Sequence, residues 1–344
     1  MTVSMGATEP GFLPQVARAT IFRPAFWFAA LVWVALNFSA ILLSGGILPF
    51  DRPALARLPF VAQMAVPSVG LLEIFVLMAV VYGLTRKRAI PDMAARAPAR
   101  LRAATETLAL LAYAMGGQVG GWYLGPALGV RPFSFHLAGT LVGCSTPASA
   151  KEAVVWALYN FAVFAALPYL VFRRRYSNEA LNLRSNNRAN DLLVIVVVLA
   201  IESVSELLAF PGIFQLSLHQ LAIAAPLAFF LFGIGTVLPT MVLIYAILLP
   251  RYLKLTGSFF ATVLLGGATY ALMHLVEGWS TFDGPRDTAL SLIFVALTYV
   301  GPGMFKSFVT LRTGNAWVHA IAYHAVAPHV VVDAPLMVKA FAIR

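Results

Sequence analysis

The chain has 344 residues, 60% of them hydrophobic and only 11% charged, with a mean hydropathy of +0.83; this composition excludes an ordinary soluble domain and indicates an integral membrane protein. The net charge of +10 lies in short Lys and Arg runs beside long uncharged stretches, which suits anionic headgroups and excludes nucleic acid as the expected partner. A single cysteine, Cys144, excludes an intramolecular disulfide framework and cysteine-rich zinc sites, and reads as inert in an exterior loop.

The first 23 residues lack the compact apolar core and small-residue cleavage site of a signal peptide. A bilayer crossing needs about 20 apolar residues, and in chain order the stretches near 24–48, 63–84, 103–125, 152–172, 190–209, 220–248, 258–278, 289–306 and 314–335 qualify. The expected fold is therefore all-α, a polytopic transmembrane helical bundle of about nine helices. Arg86, Lys87, Arg88, Arg96, Arg100 and Arg102 follow the second stretch. Arg173, Arg174, Arg175, Arg184 and Arg188 follow the fourth. Arg251 with Lys254, and Lys306 with Arg312, fall on the same side if the spans alternate, while the loops at 209–219 and 278–288 carry little or balanced charge. Basic loops stay in the cytoplasm, so the amino terminus is expected inside and the carboxyl terminus outside, in a bacterial inner (cytoplasmic) membrane.

The stretch 126–149 is rich in Gly, Pro and Ser and has room for a re-entrant segment. The polar stretch 173–190 divides the chain into an N-terminal four-helix region, 1–177, and a five-helix core, 178–344. No internal repeat relates the two. Gly and Pro interrupt two predicted helices, at 232–240 and 299–305. Such breaks require protein or a water-filled cavity around the freed backbone groups.

Ionisable groups within spans cost on the order of 2.5–3.5 kcal/mol on insertion scales and therefore attract functional readings. Glu202 and Glu206 stand four apart on one helix face. His274 closes the seventh stretch, and His319, His324 and His329 recur every five residues in the ninth. At about 100° per residue, a five-residue step rotates the ring by roughly 140°, so the three cannot address one ligand unless the helix breaks, as Pro328 would allow. The plainer readings are that Trp279 marks the headgroup level beside His274, that His319 is structural, and that Glu202 and Glu206 are packing contacts or pair with each other. The run 228–232 reads as lipid-facing or core surface, and Arg173 to Arg175 as orientation and lipid contacts.

The stretch from about 178 to 335 resembles the CPBP family of intramembrane glutamic proteases, which includes CAAX-processing and bacteriocin-related members. The features that match, in order, are a basic linker ending in LNLR (181–184), a long helix, an aromatic-x-x-x-His motif at Tyr270 and His274, and a final helix opened by Gly-Asn with His324 in its middle. Tyr stands where the family has Phe, and Pro328 where it has the Asn or Asp after the second histidine. The family's Glu-Glu pair, understood to activate the attacking water, would fall on Pro239 and Thr240. Neither is a carboxylate, and no Asp or Glu lies between Glu206 and Glu277.

The resemblance implies an intramembrane endopeptidase with His274 and His324 in its site. Amide hydrolysis needs a base for the water and donors for the oxyanion, and Glu277, Glu202 and Glu206 are the candidate substitutes for the lost base. A catalytically silent relative that binds or positions a membrane protein or lipid is the alternative, with a small transporter as the third reading. The expected partners are membrane lipid and a membrane-embedded protein or peptide substrate. No cofactor is expected, and no metal, because no His-Glu-x-x-His spacing occurs; a cross-helix site from His274, His324 and Glu277 is conceivable, and a bis-histidine haem a rarer reading still.

Overall fold

The computed structural model describes residues 24–50, 52, 55, 58–137 and 148–344; Cys144, the first 23 residues and part of 126–149 lie outside them. The described residues are helical, without strands. The helices are α1 (Pro24–Ser44), α2 (Phe60–Thr85), α3 (Arg100–Ala127), α4 (Ala150–Arg173), α5 (Arg188–Ala209), α6 (Leu218–Thr256), α7 (Phe259–Met273), α8 (Pro285–Thr313), α9 (Ala316–Val331) and α10 (Ala334–Ala340). Six of them, α1, α2, α4, α5, α6 and α8, are long and apolar enough to cross a membrane, and α9 with α10, bent by 45° at their junction, would make a seventh. Helix α3 falls short of the apolarity because Gly116, Gly117, Gln118, Gly120 and Gly121 occupy its middle, and α7 has only 15 residues.

Local chemistry fixes the helix ends. Ser149 with Glu152, and Ser217 with Gln220, form capping boxes at the starts of α4 and α6. Helix α8 begins at Pro285 and ends at Gly314, whose φ of +66° closes the helix in the left-handed region. Asn315 then caps α9.

Helix α6 is apolar all round in its middle, and every residue from Met241 to Leu248 is buried, as expected of a central rod. Helix α1 carries exposed Trp27, Phe28, Leu31, Val34 and Phe38, an apolar rim suited to acyl chains. The run 228–232 divides, with Phe229 and Phe230 exposed and Phe232 buried. The largest core cluster joins Leu110, Ala114 and Phe164 to Tyr245, Met273 and Phe294, so it draws on both sides of residue 177. Helices α7 and α8 meet through glycines: a Cβ on Gly303 would lie 2.9 Å from the Gly267 Cα and 2.5 Å from the Tyr270 Cβ, the close approach that small residues allow between apolar helices.

The loops expected to be basic gather at one end of the bundle. Arg88 donates to Asp191, Asn186, Asn190 and the Thr313 carbonyl. Arg96 donates to Asn182 and the Gly314 carbonyl; burial draws its guanidinium below the ordinary arginine range, with Glu179 opposing the shift. Arg173, exposed, donates to the Tyr176 carbonyl. The expected position of Lys306 needs correction. Helix α8 runs on to Thr313, so Lys306 is buried within it, and Arg312 turns back to donate to Thr85. Arg251 is likewise buried, paired with Glu106.

Both expected helix breaks also differ. Residues 299–305 remain α-helical through Pro302, while α6 continues through wide π turns at Gly233–Val237 and Met241–Leu248. Helix α9 contains π turns at Ala320–Ala325 and Ala327–Val331, and its bend follows Val331 instead of falling at Pro328.

Candidate functional site

The end of the bundle opposite the basic loops collects imidazoles from three parts of the chain. Residues 131–137 run as irregular backbone between α3 and α4, with Phe133, Phe135 and Leu137 buried. Trp156 Nε1 donates to the Phe135 carbonyl at 3.2 Å, and the Asn160 amide donates to the carbonyls of Ser134, Phe135 and Gly235. Irregular backbone at depth requires such internal partners, and here they hold up His136. Asn160 also satisfies Gly235, whose carbonyl lies in the first π turn of α6.

His274 caps the C-terminus of α7, fully buried, with Nδ1 2.6 Å from the Tyr270 carbonyl and its ring stacked 4.0 Å from that of Tyr299. Its Nε2 lies 3.3 Å from His136 Nε2. Glu277, in the loop after α7, places Oε1 3.4 Å from His136 Nδ1. The carboxylate thus faces His136, and reaches His274 through that ring. One donor atom from each of His136, His274 and Glu277 lies within 4.8 Å of the others.

His324 is held from both sides. The Tyr270 hydroxyl is 3.3 Å from Nε2 and the Thr240 hydroxyl 3.4 Å from Nδ1. Thr240 Oγ1 donates to the Thr236 carbonyl at 2.9 Å, so its oxygen accepts from Nδ1–H, and Nε2 accepts from Tyr270. His274 and His324 therefore connect through one residue, Tyr270, by its carbonyl and its hydroxyl.

The five-residue histidine spacing finds its explanation in α9. In a π turn the ladder runs i→i+5, so five residues make roughly one turn and place His324 beside His329, with ring centroids 5.2 Å apart. His329 also stacks on Phe232 at 4.5 Å, lies 6.2 Å from His136, and sets Nδ1 3.0 Å from Asp333. His319 stands apart against Tyr245, and neither of its ring nitrogens has a hydrogen-bond partner. Trp279 is buried beneath Arg52 and packs on Phe50, so it does not sit among headgroups.

Glu202 and Glu206 belong to a second cluster. Glu202 is buried, its Oε1 lacks a hydrogen-bond partner, and it feels the charges of Glu73, Glu206 and Lys306. Ser205 donates to Glu73 at 2.7 Å. Among the described residues no hydrogen bond joins Glu202 or Glu206 to His274 or His324. Lys306 stands between the clusters, its Nζ 3.7 Å from the Tyr270 ring centroid and 5.7 Å from that of Tyr323. A cavity of about 160 Å³ lies on this side, lined by Glu73, Thr298, Pro302 and Tyr323.

Sequence reasoning missed His136 and Asp333. His-x-x-x-Asp at 329–333 was a readable i,i+4 signal, whereas His136 sits in aperiodic chain and carried none. No protein-family profile, curated protein or solved structure matches this chain.

Proposed function

We propose that the protein is a membrane-embedded peptidase on a CPBP-like scaffold, in which the imidazole cluster at His136, His274 and Glu277 has replaced the family's glutamate as the water-activating group. The observation that carries this reading is the position of Thr240. The residue that stands where the resemblance expects a carboxylate touches His324, which Tyr270 links to His274. A displaced base within the same enclosure keeps the geometry the chemistry needs.

In this reading a water is deprotonated at the His136–Glu277 side and its oxygen attacks the scissile carbonyl. The Tyr270 hydroxyl, which His324 positions, turns to donate to the developing oxyanion, the C–N bond breaks, and the proton passes to the leaving amine. The substrate is a membrane-embedded protein or peptide, and the basic end of the bundle faces the cytoplasm of a bacterial inner membrane.

The test uses the full chain in liposomes with a panel of membrane-spanning peptides, cleavage being read by mass spectrometry. The expected outcome is a defined cut whose rate falls about 100-fold or more in His274→Ala. Absence of cleavage across the panel, with cellular function intact in His274→Ala, favours the silent binding relative and defeats the peptidase.

A further inference from the structure

The tautomer of His274 follows from its partner. The Tyr270 carbonyl 2.6 Å from His274 Nδ1 can only accept, so Nδ1 carries the proton and the neutral ring presents a bare lone pair at Nε2. On His136 it is Nδ1 that lies 3.4 Å from the Glu277 carboxylate, and Nε2 that faces His274. The two Nε2 atoms stand 3.3 Å apart, with ring centroids 4.4 Å apart and the ring planes steeply crossed, and His274 is wholly buried. A neutral His136 can donate Nε2–H to the His274 lone pair, and a metal ion can take that proton's place between the two nitrogens.

The spacing fits a shared metal ion as well as a shared proton. Two nitrogens each about 2.0–2.1 Å from a tetrahedral ion stand roughly 3.3 Å apart, which is the observed separation. The outer nitrogens meet a backbone carbonyl and a carboxylate, the partners that orient metal-bound imidazoles. One carboxylate oxygen of Glu277 falls with one nitrogen of each ring in a group whose members all lie within 4.8 Å of one another, which makes it the third donor. The His136 side chain is 17% exposed, which supplies an entry path.

We propose that His136 Nε2, His274 Nε2 and Glu277 bind one divalent transition-metal ion of the zinc class and leave a coordination position for water. As the identity of the water-activating group this rests on the peptidase reading; as a binding site it stands on the geometry alone. Nitrogen and carboxylate donors in this number suit zinc, and a bound water would be activated at neutral pH.

The test is elemental analysis of the full chain in detergent after exposure to Zn²⁺ and removal of excess, with Co²⁺ substitution to read coordination from the visible spectrum. The expected result is one ion per chain, a tetrahedral Co²⁺ spectrum, and at least a tenfold loss of affinity in His136→Ala and Glu277→Gln, with His219→Ala unchanged. His136→Gln serves where the alanine variant does not fold. Metal content at the buffer background in the wild type, or equal retention in the His136 variants, overturns the site. Cleavage measured in parallel separates the two readings. Metal bound without cleavage defeats the peptidase alone, and cleavage indifferent to a chelator defeats the metal alone.

Discussion

The two ends of the bundle bury different kinds of polar group. At the basic end the guanidinium groups meet several acceptors each: Arg251 has Glu106 and the Ile247 carbonyl, Arg88 has Asp191 and three further oxygens with its Nε alone unmatched among the described residues, and Arg312 has Thr85. At the histidine end Glu277 Oε1 and His329 Nε2 have no hydrogen-bond partner among the described residues, and two imidazole nitrogens face each other at 3.3 Å. A satisfied network rigidifies a fold, whereas buried groups left short of partners are tolerated where something else is to bind. Under the proposed peptidase reading, the first end serves stability and the second chemistry.

The sharpest way to break this comparison is to empty the basic end. Glu106→Ala strands the Arg251 guanidinium, which is 1% exposed, and is expected to cost about 3–5 kcal/mol, read as a fall in the unfolding midpoint of the solubilised protein. A midpoint close to wild type would deny that end its structural role.

Next comes the α7–α8 contact that carries Tyr270. Gly303→Ala forces a Cβ to within 2.5 Å of Tyr270 Cβ and is expected to cost about 1–3 kcal/mol by overpacking. Because the displaced residue joins His274 to His324, cleavage should fall further than stability alone explains. Equal losses would make Tyr270 a mere packing residue.

His319→Leu sharpens the boundary of the site. It removes two buried ring nitrogens that lack partners, so the midpoint is expected to stay or to rise by about 1 kcal/mol equivalent, with cleavage unchanged. A large loss of cleavage would draw His319 into the cluster.

What the sequence made legible follows periodicity and charge. Helical character, the gathering of basic loops at one end, and the prominence of His274, His324 and Glu277 were all readable, because a 20-residue apolar run and a lone ionisable side chain within one are strong local signals. The rest depends on long-range packing. His136 reaches the site on aperiodic chain whose carbonyls are capped by residues 20 or more positions away. The π turns of α9 convert a five-residue spacing that looks scattered on an α-helix into shared faces. Lys306 reads as a loop cation until α8 extends beyond it, and Trp279 as an interfacial aromatic until Arg52 covers it.

The division of labour is tested most directly by Glu277→Gln, through the cleavage rate per folded molecule. The substitution keeps the side chain's shape and removes the charge that faces His136. A drop of about 100-fold or more, with the unfolding midpoint shifted by the equivalent of less than about 1 kcal/mol, is the result expected of a catalytic end that the fold does not need. A full cleavage rate in this variant would contradict the account.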